Sequence, residues 1–486
     1  MKKNQLLRDK SKCIFTYSYQ KKSGELLNYL EKKLIKNGFS IKPMTPEQII
    51  KVIRETKELS RFSRLIQTFL NHFKSENLNI DTLKAKAQLF PNINRNLAFL
   101  EIFEIILNRY QNYLHEKEEI DFNDMINETE KIITANPESV EMPYNNIKYV
   151  LIDEFQDISV ARYHLLNALK KVSEKVKFFC VGDDWQSIYK FTGSNVSIMT
   201  DFENNFGDSV IMKLQDNFRF SQSMTDISSY FIQKNNNQIQ KKIKSYNKLI
   251  NEPITIVREI IDNEEKDITL SEILKIIRNK DKQGDILVLG RYNFTKPDNF
   301  ENIIDKFDNK EKIKFKTVHG SKGLEADYVI ILNLNSGLYA FPSEITNDPV
   351  LDLVINNNEK FPYAEERRLF YVALTRAKKD VFLAHENTPL SSFVTELKKS
   401  KFKMLFINQE EEIFVTCPVC NDNIAKREQK ADKNKKFYSC TNFLCDFTVN
   451  IPKCNNCKKD ENIIATHSND WRYSGDFICR NCNAEN

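Results

Sequence analysis

Apolar and polar positions follow two rhythms along this chain. From residue 14 to about residue 135, apolar side chains recur every three or four positions, as in Leu97, Leu100, Phe103, Leu107, Tyr110 and Leu114. That period lines one side of an α-helix, so the stretch reads as mostly helical. From about residue 145, strand-length apolar runs at 149–152 and 176–181 alternate with helical patterns, and further runs follow at 285–289, 313–318 and 328–332. Alternation of this kind predicts an α/β fold built on parallel sheets. A last helical pattern covers 365–377. It has Glu365 and Glu366 in the first turn, Leu369, Val372 and Ala373 on one buried face, and Arg376 one turn further along.

Three of these elements carry candidate chemistry. The run 149–152 stops at Asp153 and Glu154, which delivers two carboxylates to the carboxyl edge of a parallel sheet, where nucleotide sites of this class lie. Asp153 could hold magnesium and Glu154 could orient or deprotonate a water, although a strand followed by a solvated acidic turn has the same pattern. After the run 176–181, Gln186 stands close to Tyr189 and Phe191, an arrangement suited to sensing a phosphate on one side and stacking bases on the other. Arg376 on a rigid helix suits phosphoryl transfer, because a guanidinium fork neutralises charge growing on the transferred group. An ordinary amphipathic helix is the alternative.

Two more segments, LQDNFRFS at 214–221 and TVHGSKGLEAD at 317–327, complete a set of five. In this order and at these separations they resemble motifs II to VI of the UvrD/Rep-type superfamily 1 DNA helicases, over roughly residues 10–390. The tryptophan before Gln186 is similar to the wording of the DNA helicase IV branch. The resemblance implies an ATP-dependent DNA helicase moving 3′ to 5′ on a single strand, or the motor fragment of one. It implies RecA-like P-loop NTPase lobes, the first incomplete, with a helical accessory domain. By resemblance Asp153 binds magnesium, Glu154 activates the attacking water, Gln186 contacts the terminal phosphate of ATP, and Arg219 and Arg376 reach that phosphate. Phe218, a tyrosine in most of the family, stacks on adenine, and Glu325 contacts the sugar or phosphate end. Tyr189 and Phe191 support stacking on single-stranded or partly duplex DNA, and His319 and Ser321 link nucleotide to strand. The segment 120–126 matches a family segment near DNA and nucleotide, with an Asp121-led helix cap as the equal reading.

One family element is missing. No Gly-x-x-x-x-Gly-Lys-Ser/Thr loop, whose amides and lysine cradle phosphates, occurs in these 486 residues; Gly320 to Gly323 lacks its spacing. In relatives the loop precedes the region where this chain starts. The expectation is therefore a truncated or split product, half of an enzyme whose other chain supplies the loop, or a non-hydrolysing DNA-binding or regulatory module. The interval from Gly290 to Lys316 is also too short for the large helical domain that UvrD and Rep carry there.

Composition refines this picture. A chain of 486 residues, 41% hydrophobic and 29% charged, can bury several cores. Its net charge of +5 does not by itself mark a nucleic-acid binder, and the Lys/Asn-rich piece 235–244 reads as solvated surface. The basic start lacks a signal-peptide core and no run reaches membrane-spanning length, which predicts a cytoplasmic location. Beyond residue 413 the chemistry changes. Cys417 and Cys420, Cys440 and Cys445, Cys454 and Cys457, and Cys479 and Cys482 pair on tight knuckles, the pattern of two four-cysteine zinc sites. Disulfides are the alternative, disfavoured in a reducing cytosol. Arg427 and the run Phe437, Tyr438, Ser439 before Cys440 resemble the zinc ribbons of type I topoisomerases, which bind single-stranded DNA. His467 is a spare ligand; Cys13 reads as an isolated thiol and Cys180 as a buried strand residue. The expected organisation is a helical accessory region at 1–144, the carboxyl part of the first lobe at 145–224, the second lobe at 225–405, a zinc ribbon at 413–450 and a second zinc module at 451–486.

Overall fold

The computed structural model describes residues 14–408 apart from 15, 43, 46–47, 49–57, 136–146, 173–174, 250, 259–267, 356–358, 360, 387–389 and 401; beyond 408 it describes 424–428, 436–440, 445, 447–450, 463–465 and 477–479. The chain forms two compact units. The first takes Met1–Leu214, Ile232–Lys242 and Ile345–Val372, and the second takes Gln215–Phe231, Ile243–Glu344 and Ala373–Asn486. This interleaving departs from the successive segments 145–224 and 225–405. The later pieces belong to the first unit because their side chains complete its core.

Helices Glu58–Ser75, Ile80–Ala87, Ile93–Glu116 and Phe122–Ala135 open the first unit. Phe69, Leu83, Leu100 and Phe103 are almost wholly buried there, together with Val350 and Leu353 from the returning segment. The apolar stripe of helix Ile93–Glu116 points inward as its period requires, with Leu97 and Leu107 packed partly buried beside Leu100 and Phe103. Asp121 Oδ1 accepts from the amides of Asn123 and Asp124 at 2.9 and 2.8 Å, so it caps the helix that follows. Lys74 Nζ, buried, joins Asp121 and Asp124 at 2.6 and 2.8 Å. Next come two parallel strands in direct register, β1 (Tyr149–Ile152) and β2 (Lys177–Cys180), with Leu151 opposite Phe179. Cys180 is half-buried rather than buried, and desolvation raises its thiol to a pKa of about 11.

The second unit holds a six-stranded, wholly parallel sheet. Its strands are β3 (Ile254–Arg258), β4 (Ile286–Gly290), β5 (Ile313–Thr317), β6 (Ala326–Ile331), β7 (Ala377–His385) and β8 (Leu405–Ile407), in the order β8-β3-β7-β6-β4-β5. Ile256, Val288, Ile330 and Leu383 are fully buried on its inner strands, as expected where helices cover both faces. Helix Ala364–Leu374 ends earlier than the pattern 365–377 suggests, because β7 begins at Ala377. Ala326 N donates to Arg376 O at 3.0 Å, so the sheet ladder captures the backbone before another helical turn can form. Arg376 therefore sits in the helix-to-strand link and not on the helix. Strands Ile424–Glu428, Lys436–Cys440 and Thr448–Asn450 form a small antiparallel sheet.

Candidate functional site

In the first unit, the ends of β1 and β2 are tied together by one hydrogen-bonded chain. Asp153 and Glu154 follow β1, both exposed, and Glu154 adopts a left-handed backbone with φ 50°. Gln156, buried, donates through Nε2 to Glu154 Oε2 and accepts through Oε1 from Asp183 N at 2.9 Å. Asp183 Oδ2 in turn accepts from Gln186 Nε2 at 2.7 Å. Two of the predicted polar residues, Glu154 and Gln186, thus meet through two that sequence reasoning passed over, Gln156 and Asp183. Gly182 makes this close approach possible, since a Cβ there would lie 2.6 Å from Gln156 Oε1 and 3.0 Å from Gln156 N. Asp153 accepts from Glu154 N at 2.8 Å through Oδ1, while among the described residues its Oδ2 has no partner. An exposed carboxylate oxygen of this kind fits a magnesium ligand.

The piece 235–244 is solvated surface only in part: Asn236, Asn237, Gln240, Lys242 and Lys244 are exposed, whereas Asn235 and Gln238 are buried. Lys241 Nζ lies 2.6 Å from Asp183 Oδ1, 2.5 Å from Asp184 Oδ1 and 4.9 Å from the centre of the Trp185 ring. Burial works against its charge, but the two carboxylates outweigh that and hold its pKa above the ordinary lysine value. Asp184, with no exposure, also accepts from Gln238 Nε2 and Ile239 N at 2.7 and 2.8 Å. Trp185 is fully buried, donates to Ile239 O at 3.0 Å and meets Tyr371 edge-on. The segment is held because a buried carboxylate and an indole NH both require partners.

Arg368 is a further residue that sequence reasoning missed. It is almost fully buried, donates through Nε to Ser187 O at 2.6 Å and grips Glu359 with both terminal nitrogens. The signal was present: Arg368 stands three and four residues before Tyr371 and Val372, on the helix face that is buried. Tyr189 and Phe191 pack edge to face at 6.0 Å, with Phe191 half exposed.

The second unit gathers the other predicted residues. Arg219 donates through Nε to Glu325 Oε2 at 3.1 Å and through one terminal nitrogen to Thr375 O at 3.3 Å. Arg376, buried, donates to Leu324 O at 3.1 Å. Lys378 Nζ reaches Glu325 Oε1 at 2.6 Å, and this contact, with Arg219, holds the Glu325 carboxyl below its ordinary pKa. Phe218 is exposed and stacks on Tyr246 at 5.3 Å, an aromatic partner that no local pattern pairs with it. His319 and Ser321 form a short turn after β5. Ser321 is fully buried and its Oγ donates to Val318 O at 2.7 Å, so its side chain is engaged within the turn.

Of the eight tail cysteines, only Cys445, half-buried, has a described side chain; Cys440 and Cys479 end described strands, and Cys417, Cys420, Cys454, Cys457 and Cys482 lie outside the described residues, as does Cys13. Among the described residues no group of three or more His, Cys, Asp or Glu side chains is placed to hold a metal, and no helix is long and apolar enough to cross a membrane.

Comparison with known proteins gives two domain matches: residues 5–207 to the UvrD/REP helicase N-terminal domain and residues 298–388 to the UvrD-like helicase C-terminal domain. DNA helicase IV of Escherichia coli (strain K12) is 33% identical over 299 residues, covering 62% of this chain and 42% of that protein. DNA helicase II of Rickettsia typhi is 28% identical over 249 residues, 51% of this chain and 36% of that protein. A probable DNA helicase of Mycoplasma pneumoniae is 28% identical over 303 residues, 62% of this chain and 54% of that protein. The chain thus spans between 36% and 54% of the length of these relatives.

Proposed function

From the match of residues 5–207 and 298–388 to the N-terminal and C-terminal domains of UvrD/REP-type helicases, we propose that this chain is the motor part of an ATP-dependent DNA helicase, moving 3′ to 5′ along single-stranded DNA. The observation that carries this reading is the chain Glu154–Gln156–Asp183–Gln186 at the carboxyl ends of two parallel strands. It ties a carboxylate and an amide to one hydrogen-bonded chain, which supports their use on water and phosphate in an in-line phosphoryl transfer.

In this reading Asp153 holds magnesium, Glu154 orients and deprotonates water, and Gln186 senses the terminal phosphate. Arg219 and Arg376 stabilise the charge that grows on that phosphate, and Phe218 with Tyr246 offers the adenine an aromatic platform. Tyr189, Phe191 and His319 serve the DNA strand. A non-hydrolysing module is the weaker reading, because it leaves the tied carboxylate and amide set without a task. We also propose two structural zinc ions, on Cys417, Cys420, Cys440 and Cys445 and on Cys454, Cys457, Cys479 and Cys482, and a cytoplasmic location. ATP hydrolysis measured with and without single-stranded DNA, and with and without a loop-bearing fragment, tests the motor reading. Stimulation by DNA, with or without the fragment, supports it; no hydrolysis under any of these conditions overturns it.

A further inference from the structure

The carboxyl ends of β4, β5 and β6 bring three loops together in the second unit. Gly290 lies opposite Thr317, Val318 N donates to Gly290 O at 3.0 Å, and Leu332 N donates to Leu289 O at 2.9 Å. Residues 291–295, the turn His319–Ser321 and residues 332–344 therefore leave the parallel sheet at one edge. The first and last of these loops contribute three aromatic rings to one cluster. Tyr292 and Phe294 stack with ring centres 5.0 Å apart and planes 9° from parallel, and Tyr339 stands edge-on to both at 6.1 and 5.6 Å. The Arg291 guanidinium lies 4.7 Å from the centre of the Tyr292 ring.

The cluster is anchored underneath and open above. Ser343 Oγ donates to Leu338 O at 3.1 Å, which leaves the Tyr292 hydroxyl as the donor in its 2.6 Å hydrogen bond to Ser343. Asn333 Nδ2 donates to Tyr339 O at 3.1 Å and so holds the second loop. With both loops tied, Phe294 and Tyr339 remain 65% and 58% exposed, and Leu338 next to Tyr339 is 59% exposed. A neighbouring ring that serves the core is covered instead: Phe300 is buried against Phe315. Exposed apolar side chains grouped in this way mark a binding surface. Fixed aromatic faces beside a guanidinium suit nucleobases, because every base has a π-face and arginine adds a cation for the stack and the backbone charge.

We infer that Tyr292, Phe294 and Tyr339 form a stacking platform for the unpaired bases of a single-stranded nucleic acid, separate from the residues to which the sequence motifs assign DNA contact. A duplex keeps its base faces within its own stack, so the platform takes single strands and tolerates any sequence. That the strand is DNA rests on the helicase reading, whereas binding is measured without ATP.

The probe is a short oligo(dT), titrated into the full chain in the absence of nucleotide. The double variant Phe294→Ala, Tyr339→Ala should keep its melting temperature, since both side chains are exposed, and should bind roughly tenfold more weakly. Its affinity should fall with added salt as steeply as the parent's, because a lost stack releases no counterions. The ring-keeping variant Phe294→Tyr, Tyr339→Phe should bind as the parent does. On the unaltered chain, the same oligonucleotide carrying 5-iodouracil should cross-link under ultraviolet light to Tyr292, Phe294 or Tyr339. Tight binding without ATP hydrolysis counts against the motor reading and leaves the platform standing. No binding by the parent, equal binding by the alanine variant, equal loss in the ring-keeping variant, or cross-links only at other residues would each overturn the proposal. So would self-association of the chain that the alanine variant abolishes, by assigning the surface to a second copy.

Discussion

Glu154 sits in a left-handed backbone conformation that costs an L-residue about 1–2 kcal/mol, at the point where β1 must turn its carboxylate toward Gln156. Under the proposed role, this strain is held at the carboxylate that handles the attacking water. Once a loop-bearing fragment restores hydrolysis, Glu154→Gln and Arg376→Ala should each lower turnover by about a thousandfold or more, since one removes the base and the other a charge-stabilising arginine. Steady-state ATPase rates check this, and unchanged turnover in either variant refutes the roles. Lys241→Met should cost about 3–5 kcal/mol in urea unfolding, because it strands the buried Asp184 carboxylate without its cation. A pH response is also expected. Burial raises Glu76 to a pKa of about 7, against the opposing charge of Lys86, while burial and then Lys190 lower His72 to about 4. The Glu76 contribution is fully present below pH 4.5 and is lost as pH rises to about 7; the His72 contribution is present above pH 6.5 and is lost as pH falls to about 4. Glu76→Gln should therefore gain stability over the parent chiefly near and above pH 7, and denaturant titrations across that range would show it. A gain independent of pH would contradict the assignment.

At the scale of elements, the turn after β2 depends on a glycine. Gly182→Ala would force its Cβ against Gln156 Oε1 and the Gln156 amide, so the hydrogen-bonded chain must open or the turn must shift. Overpacking of this kind costs about 1–3 kcal/mol, and fragment-supported hydrolysis should fall further than stability does. Comparing melting temperature with turnover separates the two effects. Much of the element pattern was legible in advance. The runs at 149–152, 313–318 and 328–332 correspond to β1, β5 and β6, and the stripe from Leu97 to Leu114 lies on one helix. The end of helix Ala364–Leu374 was not legible, because helical period continues through Arg376 while the pairing of Ala377 with Ala326 decides otherwise.

For the whole molecule, the tail carries the clearest test. Elemental analysis of protein purified under reducing conditions should find two zinc ions per chain. A structural site supplies roughly 10 kcal/mol of folding free energy, so a chelator should unfold the segment beyond residue 413 and leave the parallel sheets intact. A zinc-free but folded tail would sink the assignment.

Most of the strand and helix pattern, and the residue types proposed to meet a phosphate, were readable from the chain alone, because hydrophobic period and the polar residues at strand ends are local properties written in order along it. It also recorded the missing phosphate-cradling loop. Tertiary contacts were needed to show that Lys241 is a half-buried cation and Arg368 a buried one, that Gln156 ties Glu154 to Asp183, that Ser321 turns inward, and that residues 232–242 and 345–372 return to the first unit. The physical reason is that a buried charge or amide is fixed by partners distant in sequence. Arg368 and Ser187 stand 181 residues apart, and no periodicity along the chain can encode that pairing.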